Sequence, residues 1–455
     1  MIRLLLVCIT AFSLTACGSD KPTASSELSP EGVAYTLLAT PANEDVTIHL
    51  AWATDWSYRE DTNKAAPFIG TQLILAGGAE GYRAGDAGER YADLSSQGNI
   101  YVAASDYIIG ELTFKPANMP ETIDIANAHL RAPTLDQMWF ERIRDNITQN
   151  HRETQAQSFN AGFDAVRWAI FGKQPLRNAL SVDDPETLKE ILRNDIVAWH
   201  QEVFTRAPEA IVVAGGIKAK LAGEAVDALL QGLPERRTTT IIRNAQPDYS
   251  PKRILLHMPD VAVTTLTFIA PLAPTKSGGE IEDLLLIDAL GGGEQSVLHD
   301  AVRTQFRASY GFEAGFANYT YDHRLLFMGG EVETEKLADV ESIVRQTYRT
   351  FRQTGLNDDL VARKAVYKET FATLADFIID QARSELQSAL DGFKAGRTLE
   401  LVAELESATN ESINDRLKND YPDVDDWIVI AVSPDVNALP DACVITQPQD
   451  ATECP

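Results

Sequence analysis

The chain has 455 residues, enough for two large domains or about three of average size. Apolar residues make up 44% and charged residues 23%, which excludes a wholly disordered or fibrous protein. With 40 basic and 66 acidic residues, the formal net charge is −26, so the basic footprint of a nucleic-acid-binding protein is absent. No apolar run is long enough for a bilayer-spanning helix, and four cysteines are too few for a disulfide scaffold.

Residues 1–16 have the pattern of a secretory signal peptide, in which Arg3 precedes an apolar stretch from Leu4 to Leu14. The string LTAC that ends at Cys17 resembles a bacterial lipobox, whose cysteine becomes the lipidated first residue of the mature chain. An ordinary thiol in a cleaved leader is the alternative. Because Gly18 rather than aspartate follows, we expect an outer-membrane lipoprotein of a Gram-negative envelope that faces the periplasm. The polar, Pro/Ser-rich segment 17–30 predicts a flexible tether.

The first half of the remaining chain predicts a mixture of strands and helices. Two alternating segments, 32–40 and 46–54, suggest a hairpin, and a helix over 62–76 ends at a Gly-Gly pair. Two strands within 91–115 follow, and then three helices over 121–130, 135–153 and 156–171. The next helix has an apolar stripe that runs from Leu188 through Leu192 and Trp199 to Val203. A short strand at 210–214 ends this half.

The second half repeats this order. Strands are predicted at 253–257 and 261–270, a helix ends at the three glycines 291–293, and another begins near Ser296. Strands within 310–333, a helix from Thr334 to Gly355, further long helices and a strand at 426–433 complete the half.

A faint duplication supports this division. The string VTI at 46–48 recurs as VTT at 263–265, and IVV at 211–213 recurs as IVI at 428–430, each 217 residues later. Chance similarity of apolar strings is the alternative. The repeat predicts an α+β protein with two homologous domains of about 200 residues, 31–233 and 252–436. A polar linker, 234–251, joins them.

The last segment, 437–455, contains Cys443 and Cys454. If the leader carries the chain out of the cytoplasm, the two thiols enter an oxidising compartment, where a local disulfide is favoured. Metal binding by the pair is disfavoured because no third or fourth soft ligand lies nearby.

Two longer strings, together with the order of elements and the duplication, resemble a known family. They are TLKEILRNDIVAWHQEVFTRAPEAIVVAGGI at 187–217 and LLLIDALGGGEQSVLHDAVRTQFRASYGF at 284–312. Over roughly 31–434 the chain resembles the insulinase/pitrilysin (inverzincin) zinc metallopeptidases. The resemblance implies two homologous domains, each a mixed, mainly antiparallel sheet covered by helices, that form half of a clam-shell chamber.

Active members of that family carry H-x-x-E-H on the first helix of their first domain, where two histidines hold zinc and the glutamate activates water. In AAPFIGTQLILAGG, Pro67 and Thr71 stand at the histidine positions and Gly70 at the glutamate position. Asn150 falls where the resemblance places the third ligand, a glutamate. No two of the seven histidines lie within four residues of each other, so no helical zinc pair forms elsewhere. We therefore predict no metal and no cofactor on this chain.

The resemblance assigns a further role to Arg303 and Tyr310. In the family, an arginine and a tyrosine of the second domain reach the substrate carbonyl beside zinc, where they can donate hydrogen bonds to the oxyanion. A surface ion pair for Arg303 and a core position for Tyr310 are the alternatives. The segment Gly98–Tyr107 corresponds to the sheet edge to which substrate adds as a strand, and an ordinary strand is the alternative there.

These features predict a chain that is inactive alone. The leading hypothesis is the non-metal subunit of a heteromeric zinc peptidase, whose partner is a sister chain that carries H-x-x-E-H and zinc. It would contribute to proteolysis only with that partner. The alternative is a non-enzymatic scaffold of the cell envelope that binds unfolded peptides or takes part in assembly.

Overall fold

The computed structural model describes residues 21–179, 185–235, 240–309, 311–356, 360–374 and 376–455. These residues build two six-stranded mixed sheets covered by helices, as the predicted α+β class requires. Sheet 1 contains β1 (Thr23–Leu28), β2 (Ala34–Ala39), β3 (Val46–Ala53), β4 (Gln97–Ala103), β5 (Tyr107–Phe114) and β6 (Ala210–Gly215). Sheet 2 contains β7 (Arg253–His257), β8 (Thr264–Leu272), β9 (Phe312–Asn318), β10 (Arg324–Val332), β11 (Ile428–Ser433) and β12 (Cys443–Ile445).

The helices of the first half are α1 (Ala66–Ala76), α2 (Ala87–Asp93), α3 (Met119–Arg131), α4 (Gln137–Gln155), α5 (Ser158–Phe171), α6 (Leu176–Ala179), α7 (Pro185–Glu190), α8 (Arg193–Val203) and α9 (Ala219–Leu230). Those of the second half are α10 (Glu280–Gly291), α11 (Val297–His299), α12 (Leu337–Thr354), α13 (Leu360–Leu374), α14 (Ile378–Leu390), α15 (Arg397–Ser407) and α16 (Asn410–Asp420). A π-helical turn, Asp300–Gln305, continues α11. None of the helices in the described ranges is long and apolar enough to cross a bilayer.

Five strands have equivalent places in the two sheets, and the sixth differs. Strand β1 comes before β2 in the chain and is antiparallel to it, whereas β12 comes last in the chain and is parallel to β7. Sheet 1 runs β1-β2-β6-β3-β5-β4 and sheet 2 runs β12-β7-β11-β8-β10-β9. Val46 pairs with Phe114 in sheet 1, and Thr264 pairs with Val332 in sheet 2, so both partners of this antiparallel pair shift by 218 residues (264 − 46 and 332 − 114). The expected shift of 217 is therefore wrong by one. Because side chains alternate between the two faces of a strand, an odd shift would exchange buried and outward positions.

Each sheet has one face covered by helices of its own half and the other by a helix of the opposite half. Helices α1, α3, α8 and α9 pack on one face of sheet 1, and α14 packs on the other. Helix α5 of the first half packs in return on β8 and β11 of sheet 2. The apolar side chains of α14 in this contact are Ile378, Ala382, Leu386 and Leu390, and those of α5 are Ala161, Ala165, Val166, Ala169 and Ile170. The two halves thus exchange equivalent helices.

Polar contacts add to this exchange at two points. Glu111 of β5 is almost fully buried and accepts two hydrogen bonds from Arg383 of α14, from Nε at 2.6 Å and from Nη2 at 2.8 Å. Asp106, in the turn after β4, is fully buried and lies 2.9 Å from Nε of Arg243 in the linker. Its carboxylate also accepts hydrogen bonds from the hydroxyl of Tyr58 and the backbone N–H of Tyr321, which follows β9. Both halves and the linker therefore meet at Asp106.

Three local expectations differ from the structure. Segments 32–40 and 46–54 do not form a hairpin, because β6 lies between β2 and β3. Residues 23–28 of the expected tether form β1, which pairs with β2 over six residues. The helix expected through Leu192 is broken there. Leu192 is 63% exposed and precedes the start of α8 at Arg193, and its N–H donates to the Asp195 carboxylate.

The C-terminal segment is fastened to sheet 2. Cys443 on β12 and Cys454 form a disulfide with an S–S distance of 2.04 Å. Ala451 and Cys454 are buried against α5, and the Lys252 Nζ donates to the Cys454 carbonyl at 3.3 Å. A disulfide of this kind is typical of an extracytoplasmic protein. Cys17 and residues 1–16 lie outside the described residues.

Candidate functional site

Helix α1, in which the sequence resemblance places the degenerate zinc motif, is built mostly from apolar residues. It begins with Pro67 in its first turn, where the missing N–H costs no hydrogen bond, and it ends at Gly77. Ile69, Leu73 and Ile74 are fully buried in the core of the first half. The helix is therefore held by packing on both its sides and leaves little room for polar side chains.

The space beside Gly70, the position that the resemblance assigns to the catalytic glutamate, is filled by the indole of Trp199. A Cβ atom built on Gly70 would lie 2.3 Å from Cζ3 and 2.6 Å from Cε3 of Trp199. Trp199, on α8, has no exposed surface, and Ile196 of the same helix lies 3.2 Å from the same Cβ position. No side chain can be added at position 70 unless the indole moves, so neither a general base nor its water has a place here.

The remaining motif positions also lack ligands. Pro67 is buried and offers no side-chain donor or acceptor, while the buried Thr71 hydroxyl donates to the Phe68 carbonyl at 3.3 Å. Asn150 is exposed on α4, which packs beside α1. Within the described ranges, no group of three or more histidine, cysteine, aspartate or glutamate residues is arranged to hold a metal ion.

Lys64, just before α1, has a structural environment. It is 6% exposed, and its Nζ donates to the Thr62 carbonyl at 2.6 Å and to the Thr62 hydroxyl at 2.8 Å. Burial lowers the pKa of Lys64 to about 8. Because these acceptors belong to the loop that leads into α1, Lys64 fixes the start of the helix.

Arg303 lies in the π-helical turn of the second half. Its side chain is exposed, and its Nη1 lies 3.4 Å from Nε2 of His299, one turn earlier. π-Helical turns are rare and are frequently found at functional sites. Tyr310, its expected companion, lies outside the described residues. The structure thus places Arg303 at the surface, on a different half from Pro67, Gly70 and Thr71.

The predicted peptide-binding segment, Gly98–Tyr107, comprises β4 and the tight turn after it. Strand β4 is the last strand of sheet 1 and pairs only with β5 among the described strands. The turn uses left-handed backbone at Ala104 and Ser105, with φ of 47° and 60°. A cavity of about 190 Å³ lies between β4, α14 and the loop after β9, and it is lined by Tyr101, Tyr107 and Tyr321. An open strand edge and this cavity lie side by side.

The buried His49 lies beneath the ion pair that joins the halves. Its Nδ1 is 3.6 Å from Glu111 and its Nε2 is 2.9 Å from the Thr47 hydroxyl. Burial lowers the pKa of His49 to about 4, against the opposing effect of Glu111. The pKa of Glu111 is itself lowered, because the hydrogen bonds of Arg383 and the charges around it outweigh its burial. The imidazole is thus neutral at pH 7 and supports the sheet.

Comparison with known proteins connects this geometry to a family. Residues 190–365, from the end of α7 into α13, match the family model described as the Peptidase M16 inactive domain. Over these residues the chain is similar to the M16 peptidase family. The M16 match confirms the predicted relationship to the insulinase-like peptidases at the level of the family. None of the curated proteins matches the chain.

Solved structures show that the similarity of fold extends beyond the M16 segment. The chain is 15% identical to a peptidase M16 inactive domain from Pseudomonas fluorescens, covering 91% of this chain and 98% of that one with a TM-score of 0.79. It is 12% identical to a protease from Helicobacter pylori, with coverage of 91% and 100% and a TM-score of 0.77. The periplasmic protease PqqL from Escherichia coli is 13% identical, with coverage of 94% and 50% and a TM-score of 0.70. At these identities the likeness concerns the fold alone.

The sequence contained one signal that its interpretation did not use. Trp199 stands in the apolar stripe of the predicted helix, so its burial was expected, but its contact with Gly70 was not. A glycine within a buried helix is costly unless a large neighbour needs the space. A glycine inside one apolar helix, together with a tryptophan in the apolar stripe of another, could have indicated this contact between Gly70 and Trp199.

Proposed function

We propose that the chain is the non-metal subunit of a two-chain zinc peptidase of the cell envelope. Its partner is an M16 chain that carries H-x-x-E-H and zinc, and Arg303 and Tyr310 of this chain complete the partner's site. The observation that carries the proposal is the packing of Trp199 onto Gly70. This packing leaves no room for a side chain at the position that the resemblance assigns to the catalytic glutamate, and so it supports a chain without its own catalytic group.

Arg303 is suited to the assigned role because its guanidinium is exposed and its single described side-chain contact is the long one to His299. A guanidinium placed near a zinc-bound carbonyl stabilises the oxyanion that forms during attack by water. Tyr310 would add a phenolic hydrogen bond to the same oxygen. Both groups act only when the partner supplies the metal and the attacking water.

The proposed location is the periplasmic face of the outer membrane, through lipid on Cys17. The lipobox-like string in the sequence and the extracytoplasmic disulfide support it, and one relative of similar fold is described as a periplasmic protease. The proposed substrates are unfolded peptides, since a strand that adds to a sheet edge must be extended.

The test begins with the complex purified from membranes through an affinity tag on this chain, with zinc measured per complex. Cleavage of an unstructured fluorogenic peptide is then compared for Arg303→Ala, Tyr310→Phe and the exposed-arginine control Arg349→Ala. The proposal expects zinc on a companion chain, a loss of at least tenfold in kcat for the first two variants, and full activity for the control. Zinc bound by the isolated chain, or equal activity in all three variants, would contradict it.

A peptide-binding scaffold is the second candidate, favoured by the open edge of β4 beside a sealed catalytic position. In that case the chain purifies without a zinc-bearing companion, yet it binds the fluorogenic peptide. Replacement of Ile100 by proline on β4 would remove a backbone donor of the strand and weaken peptide binding. Unchanged peptide affinity in this variant would exclude the edge as the binding surface.

A further inference from the structure

Strand β1 fixes where the chain leaves the fold toward Cys17. Thr23 pairs with Ala39 and Leu28 pairs with Ala34, so the strand is held along its whole length by β2. From Cys17 to Thr23 there are six residue steps, which span at most about 20 Å when fully extended. If Cys17 carries lipid, as proposed above, Thr23 lies within that distance of the bilayer surface.

The faces of sheet 1 are unavailable to the membrane. Helices α1, α3, α8 and α9 cover one face, and α14 covers the other. The sheet therefore cannot lie flat on the bilayer, and only its β1 side is within reach of the short connection. Strand β4 is separated from β1 by five strand spacings, about 24 Å.

The outer side of β1 is compatible with a membrane surface. Leu28 is 70% exposed, and the only charges over residues 21–28 are Lys21 and Glu27, which cancel in a chain of net charge −26. A segment without net charge avoids the repulsion that anionic lipids exert on acidic segments. An outermost strand such as β1 can also pair with strands of other chains, and an adjacent bilayer would prevent that pairing.

We propose that the β1 edge of sheet 1 rests at the membrane surface and that the β4 edge points away from it. The occupant of the β1 edge is thus the lipid headgroup layer that holds the acylated Cys17. The inference rests on the proposed lipidation of Cys17. It adds an orientation of the molecule, in which the β4 edge considered for peptide binding faces the periplasmic space.

Two matched positions test the orientation. Ser26 and Asn99 are exposed residues in the middle of β1 and β4, the opposite edges of one sheet. Ser26→Cys and Asn99→Cys are each made in the full chain, in which Cys443 and Cys454 are bonded to each other and Cys17 is the proposed site of acylation. The rate of modification by a 5-kDa polyethylene glycol maleimide is measured in vesicles and in a soluble form that begins at Lys21.

The expected result is that vesicle attachment slows modification at Ser26→Cys at least fivefold and leaves Asn99→Cys unchanged. Insertion of twenty Gly/Ser residues after Cys17 should restore the rate at Ser26→Cys. Equal rates at both positions, or slowing at Asn99→Cys alone, with Cys17 shown to be acylated by mass spectrometry, would overturn the orientation only. An unacylated Cys17 would overturn both the anchor and the orientation.

Discussion

The indole of Trp199 occupies the volume that a side chain at position 70 requires, at 2.3 Å from the position of its Cβ. This contact joins α8 to α1, the helix in which the sequence resemblance places the degenerate zinc motif. Core packing occupies the space that a glutamate side chain at position 70 would need. A variant with glutamate at this position would therefore have to displace a fully buried ring.

The first prediction concerns this contact. Gly70→Ala forces a methyl group into the ring of Trp199 and should lower the free energy of unfolding by about 1–3 kcal/mol. In a Trp199→Leu background the same change should cost clearly less, because the smaller side chain leaves room. Urea denaturation of the two single variants and the double variant measures the difference.

Gly88 provides the control for that experiment. It is an exposed helical glycine of α2 with no atom within 4 Å of its added Cβ. Gly88→Ala should be neutral or stabilise by about 0.4–1 kcal/mol, through the entropy of the unfolded chain. Equal costs of Gly70→Ala with and without Trp199 would show that the indole does not fill the site.

The second prediction concerns pH. The folded-state pKa of His49 is about 4, below its unfolded value of about 6.5. Above pH 6.5 both states are neutral at this residue. As the pH falls from 6.5 to 4 the unfolded state alone takes up the proton, so stability falls, by about 3 kcal/mol from this residue. Urea denaturation at pH 7 and pH 4.5 measures the loss.

His49→Gln should remove that part of the loss, because an amide does not titrate and can still bond to the Thr47 hydroxyl. His151→Gln, on the partly exposed surface of α4, is the matched control and should keep the pH dependence of the natural chain. If His49→Gln loses as much stability as the natural chain between these pH values, the imidazole is not held neutral by burial.

The third prediction concerns the ion pair between Glu111 and Arg383, which fastens α14 to sheet 1. A double-mutant cycle with Glu111→Gln and Arg383→Met should give a coupling energy of about 1–3 kcal/mol, since Glu111 is 93% buried at its side chain. The pair of Lys368 and Glu406, both more than half exposed, should give less than about 1 kcal/mol. Similar couplings in the two cycles would argue against a role in joining the halves.

The fourth prediction concerns the tail. The Cys443–Cys454 disulfide closes a loop of eleven residue steps, so its removal by Cys443→Ser with Cys454→Ser should cost about 2–3 kcal/mol. Hydrogen exchange should rise first in β12 and in the segment after it, which only pack on the edge of sheet 2 and on α5. Uniform protection in that segment after reduction would show that packing alone holds it.

The sequence predicted the positions of the strands better than it predicted which strands pair with each other. Local apolar patterns located β3 and β11 within a residue or two, because each strand carries its own pattern. The insertion of β6 between β2 and β3 is a contact across some 175 residues, and no local pattern records it. The shift of 217 came from matching strings, whereas the 218 of the structure follows from which face each side chain must bury.

The site shows the same division. Pro67, Gly70 and Thr71 could be identified as non-ligands from their side-chain chemistry alone. What fills the resulting space could not, because Trp199 reaches Gly70 only after α8 has folded back onto α1. Similarly, the partnership of Glu111 with Arg383 joins residues 272 positions apart. Properties of a single side chain could be predicted from the sequence, whereas contacts between residues far apart in the chain could not.

The exchange of α5 and α14 has a consequence for how the molecule comes apart. A single proteolytic cut in the irregular stretch 240–251 separates the backbone of the two halves. Helix α5 of the first fragment would still be packed on sheet 2, and helix α14 of the second fragment would still be packed on sheet 1. The nicked molecule should therefore migrate as one particle until denaturant is added. The packing of α5 and α14, and not the linker backbone alone, holds the two halves of this protein together.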